Sequence, residues 1–190
     1  MIQKRNANGL LERFRPSLEK LGLIDYMTLS LDIDILEFVK RLKAQVDESN
    51  LGIMSDVTDP FSSSRNEFKG EVDRHGFKIK RRRKLFDVNA NIAVAKGHFR
   101  QEREQLIIDI EIDSLSRQMV FFYLIITFAY ISLFTTMIAF GSETDMPVFV
   151  LPFMLIHAAL MFGIPYFLMR RSVKRMKYEL ERELFFIANK

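Results

Sequence analysis

Two uncharged apolar runs limit what this chain can become. Met119 to Phe140 is 22 residues long and Pro147 to Met169 is 23, and neither holds an Asp, Glu, Lys or Arg. At 1.5 Å per residue, a helix over either run covers ~33 Å or slightly more, enough for a hydrocarbon core of about 30 Å. Nine of the 18 phenylalanines fall between Met119 and Met169, where the charged residues are Glu143 and Asp145 alone. Burying two helices that are apolar all round would take far more protein than 190 residues supply, so a membrane hairpin is expected rather than a soluble core. The link Gly141 to Met146 is too short for a domain, and backbone groups in lipid are satisfied only inside helices or closed barrels. The two helices should therefore be antiparallel. A mean hydropathy of +0.02 conceals all this, because the charge is crowded outside the two runs.

Lys and Arg near the run ends give the orientation. Arg117 precedes the first run, Arg170, Arg171, Lys174, Arg175 and Lys177 follow the second, and the link has none. By the positive-inside rule both termini face the cytoplasm. The opening MIQKRNANGLL has neither the apolar stretch nor the small-residue cleavage site of a secretory signal, so the first run is expected to act as its own insertion signal. Tyr123 and Tyr166 sit one turn inside the cytoplasmic ends, where amphipathic rings meet headgroups.

The remainder reads as an α+β domain. Leu10, Leu11, Phe14, Leu18 and Leu21 have helical spacing, but Pro16 predicts only one or two short helical turns. Tyr26 to Ile33 alternates as a half-buried strand. Asp34 then caps a helix with the apolar stripe Ile35, Phe38, Val39, Leu42 and Val46, ending near Ser49. Residues 50 to 66, with Pro60 and a serine run, read as a connecting loop. Four strands follow: Glu67 to Asp73, Phe77 to Leu85, Ile92 to Gln101 and Gln105 to Ser114, with turn signals between them. In the last strand Leu106, Ile108, Ile110 and Ile112 face one way and Asp109, Glu111 and Asp113 the other. The predicted architecture is a small antiparallel sheet with one packed helix (1–116), a two-helix transmembrane hairpin (117–169) and a C-terminal amphipathic helix (170–190). Val173, Met176, Leu180, Leu184 and Ile187 form the stripe of that helix, which suits either the bilayer or the domain.

Four segments carry a resemblance: Phe68-Lys69-Gly70-Glu71-Val72 with Phe77-Lys78-Ile79-Lys80-Arg81, then Val94-Ala95-Lys96-Gly97-His98-Phe99, then Ile107 to Ile112 running into the hairpin. Over roughly residues 67 to 170 the chain resembles a loose family of small bacterial two-span membrane proteins with a cytoplasmic F-x-G-x-V and F-x-I β domain. The resemblance implies this architecture and a bacterial inner-membrane location. It implies no activity and no catalytic residues.

Chemistry-bearing features are few. Lys78, Lys80, Arg81, Arg82, Arg83 and Lys84 are six basic residues in seven, and period two puts Lys78, Lys80, Arg82 and Lys84 on one strand face. Contact with anionic lipid is one reading, worth about 1 kcal/mol per Lys or Arg near such a leaflet. An edge strand guarded by charge against aggregation accounts for the pattern equally well. Nucleic acid is not expected, because no stacking aromatics interleave with the cluster and residues 1 to 118 carry a net charge of only +2. Asp109, Glu111 and Asp113 are expected to pair with Lys96 or Arg100 rather than hold a metal. His75, His98 and His157 lie too far apart in the sequence pattern to share an ion, and with no cysteine no thiolate zinc site, Fe–S set, disulfide or cysteine nucleophile exists. No Gly-rich phosphate loop, nucleophile elbow or H-E-x-x-H is present, so no catalysis and no cofactor are expected. Within the spans, His157 and Tyr130 fall at nearly equal depth counted from the cytoplasmic ends, and a His157 hydrogen bond to Tyr130 or Thr127 is expected across the hairpin. The functional expectation is a non-enzymatic membrane-anchored module that contacts lipid or an unidentified protein partner. The alternative is an accessory subunit of a larger membrane complex or transporter.

Overall fold

The computed structural model describes residues 9–49, 51, 66–82, 92–140 and 149–189. It divides into two compact units, Met1–Ser114 with Met169–Lys190, and Leu115–Leu168. Among the described residues the elements are α1 (Gly9–Lys20), β1 (Ile24–Leu31), α2 (Ile35–Gln45), β2 (Val46–Glu48), β3 (Phe68–Val72), β4 (Gly76–Arg81), β5 (Val94–Glu102), β6 (Gln105–Asp113), α3 (Arg117–Phe140) and α4 (Val150–Ala188).

The first unit is a six-stranded sheet in the order β1-β6-β5-β4-β3-β2, antiparallel except for the β2–β3 pair. Strict alternation in β6 makes one face apolar: Leu106, Ile108 and Ile112 are completely buried while Asp109 and Glu111 point the other way. Two helices cover the apolar face. α2 contributes Phe38 and Leu42, and the tail of α4 contributes Val173, Met176, Leu180, Leu184 and Ile187 to the same core. Each such side chain taken fully out of water stabilises the fold by roughly 1.5–3 kcal/mol. Phe77 lies across Gly97 on this face. A Cβ at position 97 would come within 2.3 Å of the ring, so the close cross-strand packing requires glycine there.

Polar contacts fix the α4 tail in register. Lys177 Nζ donates to Asp25 at 2.9 and 3.0 Å, and Arg81 pairs with Glu179. Ser172 Oγ accepts from the amides of Ile92 at 3.0 Å and Ala93 at 2.9 Å. Arg41 of α2 donates to the carbonyls of Ile187 and Ala188, both at 3.2 Å, satisfying acceptors that a helix end leaves without amides.

Several sequence expectations change. The expected single packed helix has a second beside it, and the amphipathic segment is continuous with the second apolar run as one helix, α4. α1 is an unbroken 12-residue helix even though Pro16 inside it has no amide to donate. It stops at Gly22 (φ 69°), where Gly22 N donates to Glu19 O and Leu23 N to Leu18 O, a left-handed termination that favours glycine. β1 runs two residues earlier than predicted, because Ile24 and Asp25 pair with Asp113 and Ile112. α2 is capped by Asp34 as expected but ends at Gln45. β-branched Val46 opens β2 instead, which pairs in parallel with Phe68–Gly70. β4 ends at Arg81. Of the predicted loop 50–66 only residues 51 and 66 are described, and the predicted turn at 87–89, Lys84 and the link 141–146 lie outside the described residues.

The second unit contains α3 and the start of α4. The two helices are long and apolar enough to cross a membrane. Most of their large side chains are open: Phe128 of α3 is 75 % exposed and Phe153 of α4 67 %. Thr135 and Thr136 turn their hydroxyls back onto the carbonyls of Ile131 (2.8 Å) and Ser132 (2.9 Å), which satisfies them without another helix.

Candidate functional site

Of the four residues predicted to contact lipid, the structure separates three and Lys84 is outside the described set. Lys78 is exposed. Lys80 and Arg82 are buried and engaged, Arg82 with the carboxylate of Asp47, which also accepts from Asn66 Nδ2 at 2.7 Å. Strand alternation places Lys78, Lys80 and Arg82 on one face, yet it says nothing about what covers that face. Arg81, on the helix face, pairs with Glu179 and lies 3.6 Å from Glu67.

The polar sheet face carries its own charge system. Register aligns Glu71, Lys78, Lys96, Glu111 and Tyr26 in one row across β3, β4, β5, β6 and β1. At the β1 end Arg15 of α1 donates to both carboxylate oxygens of Glu111, at 2.7 and 3.2 Å, and to the Tyr26 hydroxyl at 3.1 Å. Lys96 approaches Glu111 to 3.5 Å. The hydrogen bond to Glu111 raises the Arg15 guanidinium still further above its ordinary range. Burial alone would push the Glu111 carboxyl up, but the Arg15 bond and the Lys96 charge prevail and hold it below the usual glutamate range. In the next row Asp109 accepts from Thr28 Oγ1 at 2.9 Å and lies 3.7 Å from Arg100. Glu111 and Asp109 thus meet cations of α1 and the sheet and a hydroxyl of β1, and no group of three metal-ligating side chains occurs among the described residues.

At the β3–β4 turn the Asp73 carboxylate accepts from the amides of His75 (2.7 Å) and Gly76 (2.8 Å). These bonds, the His75 amide first, hold Asp73 below the ordinary aspartate range. His75 and His98 border a shallow groove of about 240 Å³ with Lys78 and Lys96.

In the second unit the Tyr130 hydroxyl and His157 Nδ1 are hydrogen-bonded, and Thr127, the other predicted partner, is exposed. Aromatic rings surround the pair. Phe153 stacks on His157 with centroids 6.2 Å apart and 14° between planes, and Phe162 lies 6.0 Å from Tyr130. Tyr123 stacks on Phe162 at 5.9 Å, and its hydroxyl donates to the Phe162 carbonyl at 3.2 Å. Beside Tyr130 an apolar groove of about 340 Å³ runs between Tyr130, Ile131, Phe134 and Thr135 of α3 and Leu151, Met154, Leu155 and Ala158 of α4. The histidine is exposed rather than enclosed by the helix pair. Depth counting brings the two residues together, but it gives no sign of the groove, whose walls are ordinary lipid-compatible side chains.

No family model, curated protein or solved structure matches the chain.

Proposed function

We propose that the chain is an integral protein of the bacterial inner membrane, with both termini in the cytoplasm, whose hairpin anchors an α+β domain that acts as a non-enzymatic interaction and lipid-contact module. The observation that carries this reading is the exposure of the apolar side chains of α3 and the start of α4, which water would not tolerate and hydrocarbon accepts. Exposed Arg170, Arg171 and Lys174 directly follow Met169, and each adds about 1 kcal/mol of attraction near an anionic leaflet. Lys78 is the described β4 cation exposed for the same purpose. Tyr178, Phe185 and Phe186 are exposed on the α4 tail and offer a protein partner an aromatic face.

A reporter active only outside the cytoplasm tests the topology. Inserted at Ser142 it is expected to be active, and at Lys190 silent; the reverse pattern overturns the orientation. The accessory-subunit reading is favoured by the accessible Tyr130–His157 pair, a polar spot that a neighbouring helix would shield. Exchanging both apolar runs for an unrelated hairpin separates the two readings. Partner capture survives the exchange if the domain is the working part and is lost if the spans are.

A further inference from the structure

We propose that α1 is an interfacial helix that lays Phe14 and Leu21 into the headgroup–acyl boundary of the leaflet crossed by the two apolar runs; this rests on the membrane reading above. The sheet does not use the apolar stripe of this helix. Phe14 is 51 % exposed and Leu21 46 %, whereas half-buried Arg15, next to Phe14, turns to Glu111 and Tyr26. Leu21 prolongs the helical turn, since its amide donates to Ser17 O at 3.0 Å. At about 100° per residue it falls about 20° from Phe14 around the helix, so the two side chains lie on one line. Exposed Arg13 and Lys20 fall about 100–120° from Phe14 on one flank, and exposed Glu19 about 140° from it on the other side. An interfacial helix needs this distribution: apolar side chains downward, cations at the flank where they reach headgroup phosphates, and the carboxylate turned to water.

Chain continuity supplies the occupant. α1 ends at the Gly22–Leu23 turn, and both segments that lead to the apolar runs meet that turn. The Leu23 carbonyl accepts from Ser114, from its amide at 3.1 Å and from its hydroxyl at 2.9 Å. Ser114 is three residues before Arg117, where α3 begins, a separation of at most ~11 Å even for extended chain. Beside Gly22 packs the Arg170 side chain, whose Cγ lies 3.3 Å from the place a Cβ would take. Arg170 directly follows Met169, the last residue of the second apolar run. On the membrane reading, Leu21 is therefore at the level where the chain enters and leaves hydrocarbon, and Phe14 is ~10 Å further along the same line. The leaflet is the apolar phase already next to the turn, which favours it over a second copy of the chain as the cover for this stripe.

The chain has no cysteine, so a single introduced one can carry a nitroxide. The full chain, in nanodiscs of phosphatidylcholine and phosphatidylglycerol, is labelled at Phe14→Cys, Leu21→Cys, Glu19→Cys or Phe128→Cys, all exposed positions. Collision of each label with oxygen, which concentrates in lipid, is compared with its collision with a water-soluble nickel chelate. The oxygen-to-nickel ratio at Phe14→Cys and Leu21→Cys should exceed that at Glu19→Cys on the order of tenfold. Equal ratios at the three positions would put the stripe in water, and weak collision with both reagents at Phe14→Cys and Leu21→Cys would put it under protein, a second copy included. Either result overturns the interfacial helix. Phe128→Cys reads the membrane separately. If nickel reaches it as freely as Glu19→Cys, the membrane reading falls and the role of α1 with it, whereas a lipid ratio there beside watery ratios at Phe14→Cys and Leu21→Cys refutes the role of α1 alone.

Discussion

Leu184 and Leu124 are the same residue in opposite circumstances. The first, in the sheet-and-helix unit, is 0 % exposed; the second, in the apolar unit, is 62 % exposed. The sheet unit has spent its apolar surface on a core closed by α2 and the α4 tail, and on its other face Glu111 and Asp109 pair with cations of α1 and β5. The apolar unit pairs the hydroxyls of Tyr123, Thr135 and Thr136 with backbone carbonyls and leaves most of its hydrocarbon facing outward. On the membrane reading proposed above, one sequence solves the burial problem twice, once by excluding water itself and once by relying on a solvent that already excludes it.

The sharpest break between the units should come from shortening that residue in each. Leu184→Ala is expected to cost about 2–5 kcal/mol, read as lost hydrogen-exchange protection at β6 in the detergent-solubilised chain. Leu124→Ala should leave β6 protection within about 0.5 kcal/mol. Equal losses would mean that the two environments are not distinct.

The charged sheet face gives a smaller, pH-dependent effect. Because the folded Glu111 carboxyl is held below its ordinary value, its contribution is present above the unfolded glutamate range and lost as pH falls through the lowered folded value. At pH 7 the parent chain should be more stable than Glu111→Gln by about 1 kcal/mol, in keeping with a partly exposed pair. That gap should close on acidification below about pH 4. A gap that persists there would assign the effect to packing.

The smallest expected effect lies in the apolar unit. A double-mutant cycle of Tyr130→Phe and His157→Phe on stability in bicelles should show a coupling of about 0.6 kcal/mol, and at most about 1.7. Additive losses would remove the pair as a contributor to hairpin stability.

What the sequence made legible follows from the range of the interactions. Asp34 capping α2 and the alternation of β6 are local, and both appear where expected. β2 is three residues whose strand state depends on Phe68–Gly70, some twenty positions away, and nothing within Val46–Glu48 announces it. The α4 tail shows its apolar stripe plainly, but an amphipathic stripe does not name its partner, and Asp25 and Arg81 had no visible tie to Lys177 and Glu179. Burial of Lys80 and Arg82 was illegible for a related reason, since a face read from alternation carries no record of what lies over it. Tyr130 and His157 were legible because two antiparallel helices of known rise leave little freedom in depth.

The division of the sheet unit between Met1–Ser114 and Met169–Lys190 has a consequence in time. A ribosome that has finished β6 has made the whole sheet and only half of its cover; roughly 70 residues, including both apolar helices, must still be synthesised before Ile187 exists, some 4–15 s at about 5–20 residues per second. Throughout that interval the nascent sheet leaves Leu106, Ile108 and Ile112 without their α4 neighbours, while the two apolar helices emerge. On the membrane reading proposed above, insertion precedes completion of the domain, and a chain stopped after β6 would be an aggregation-prone intermediate rather than a small stable protein.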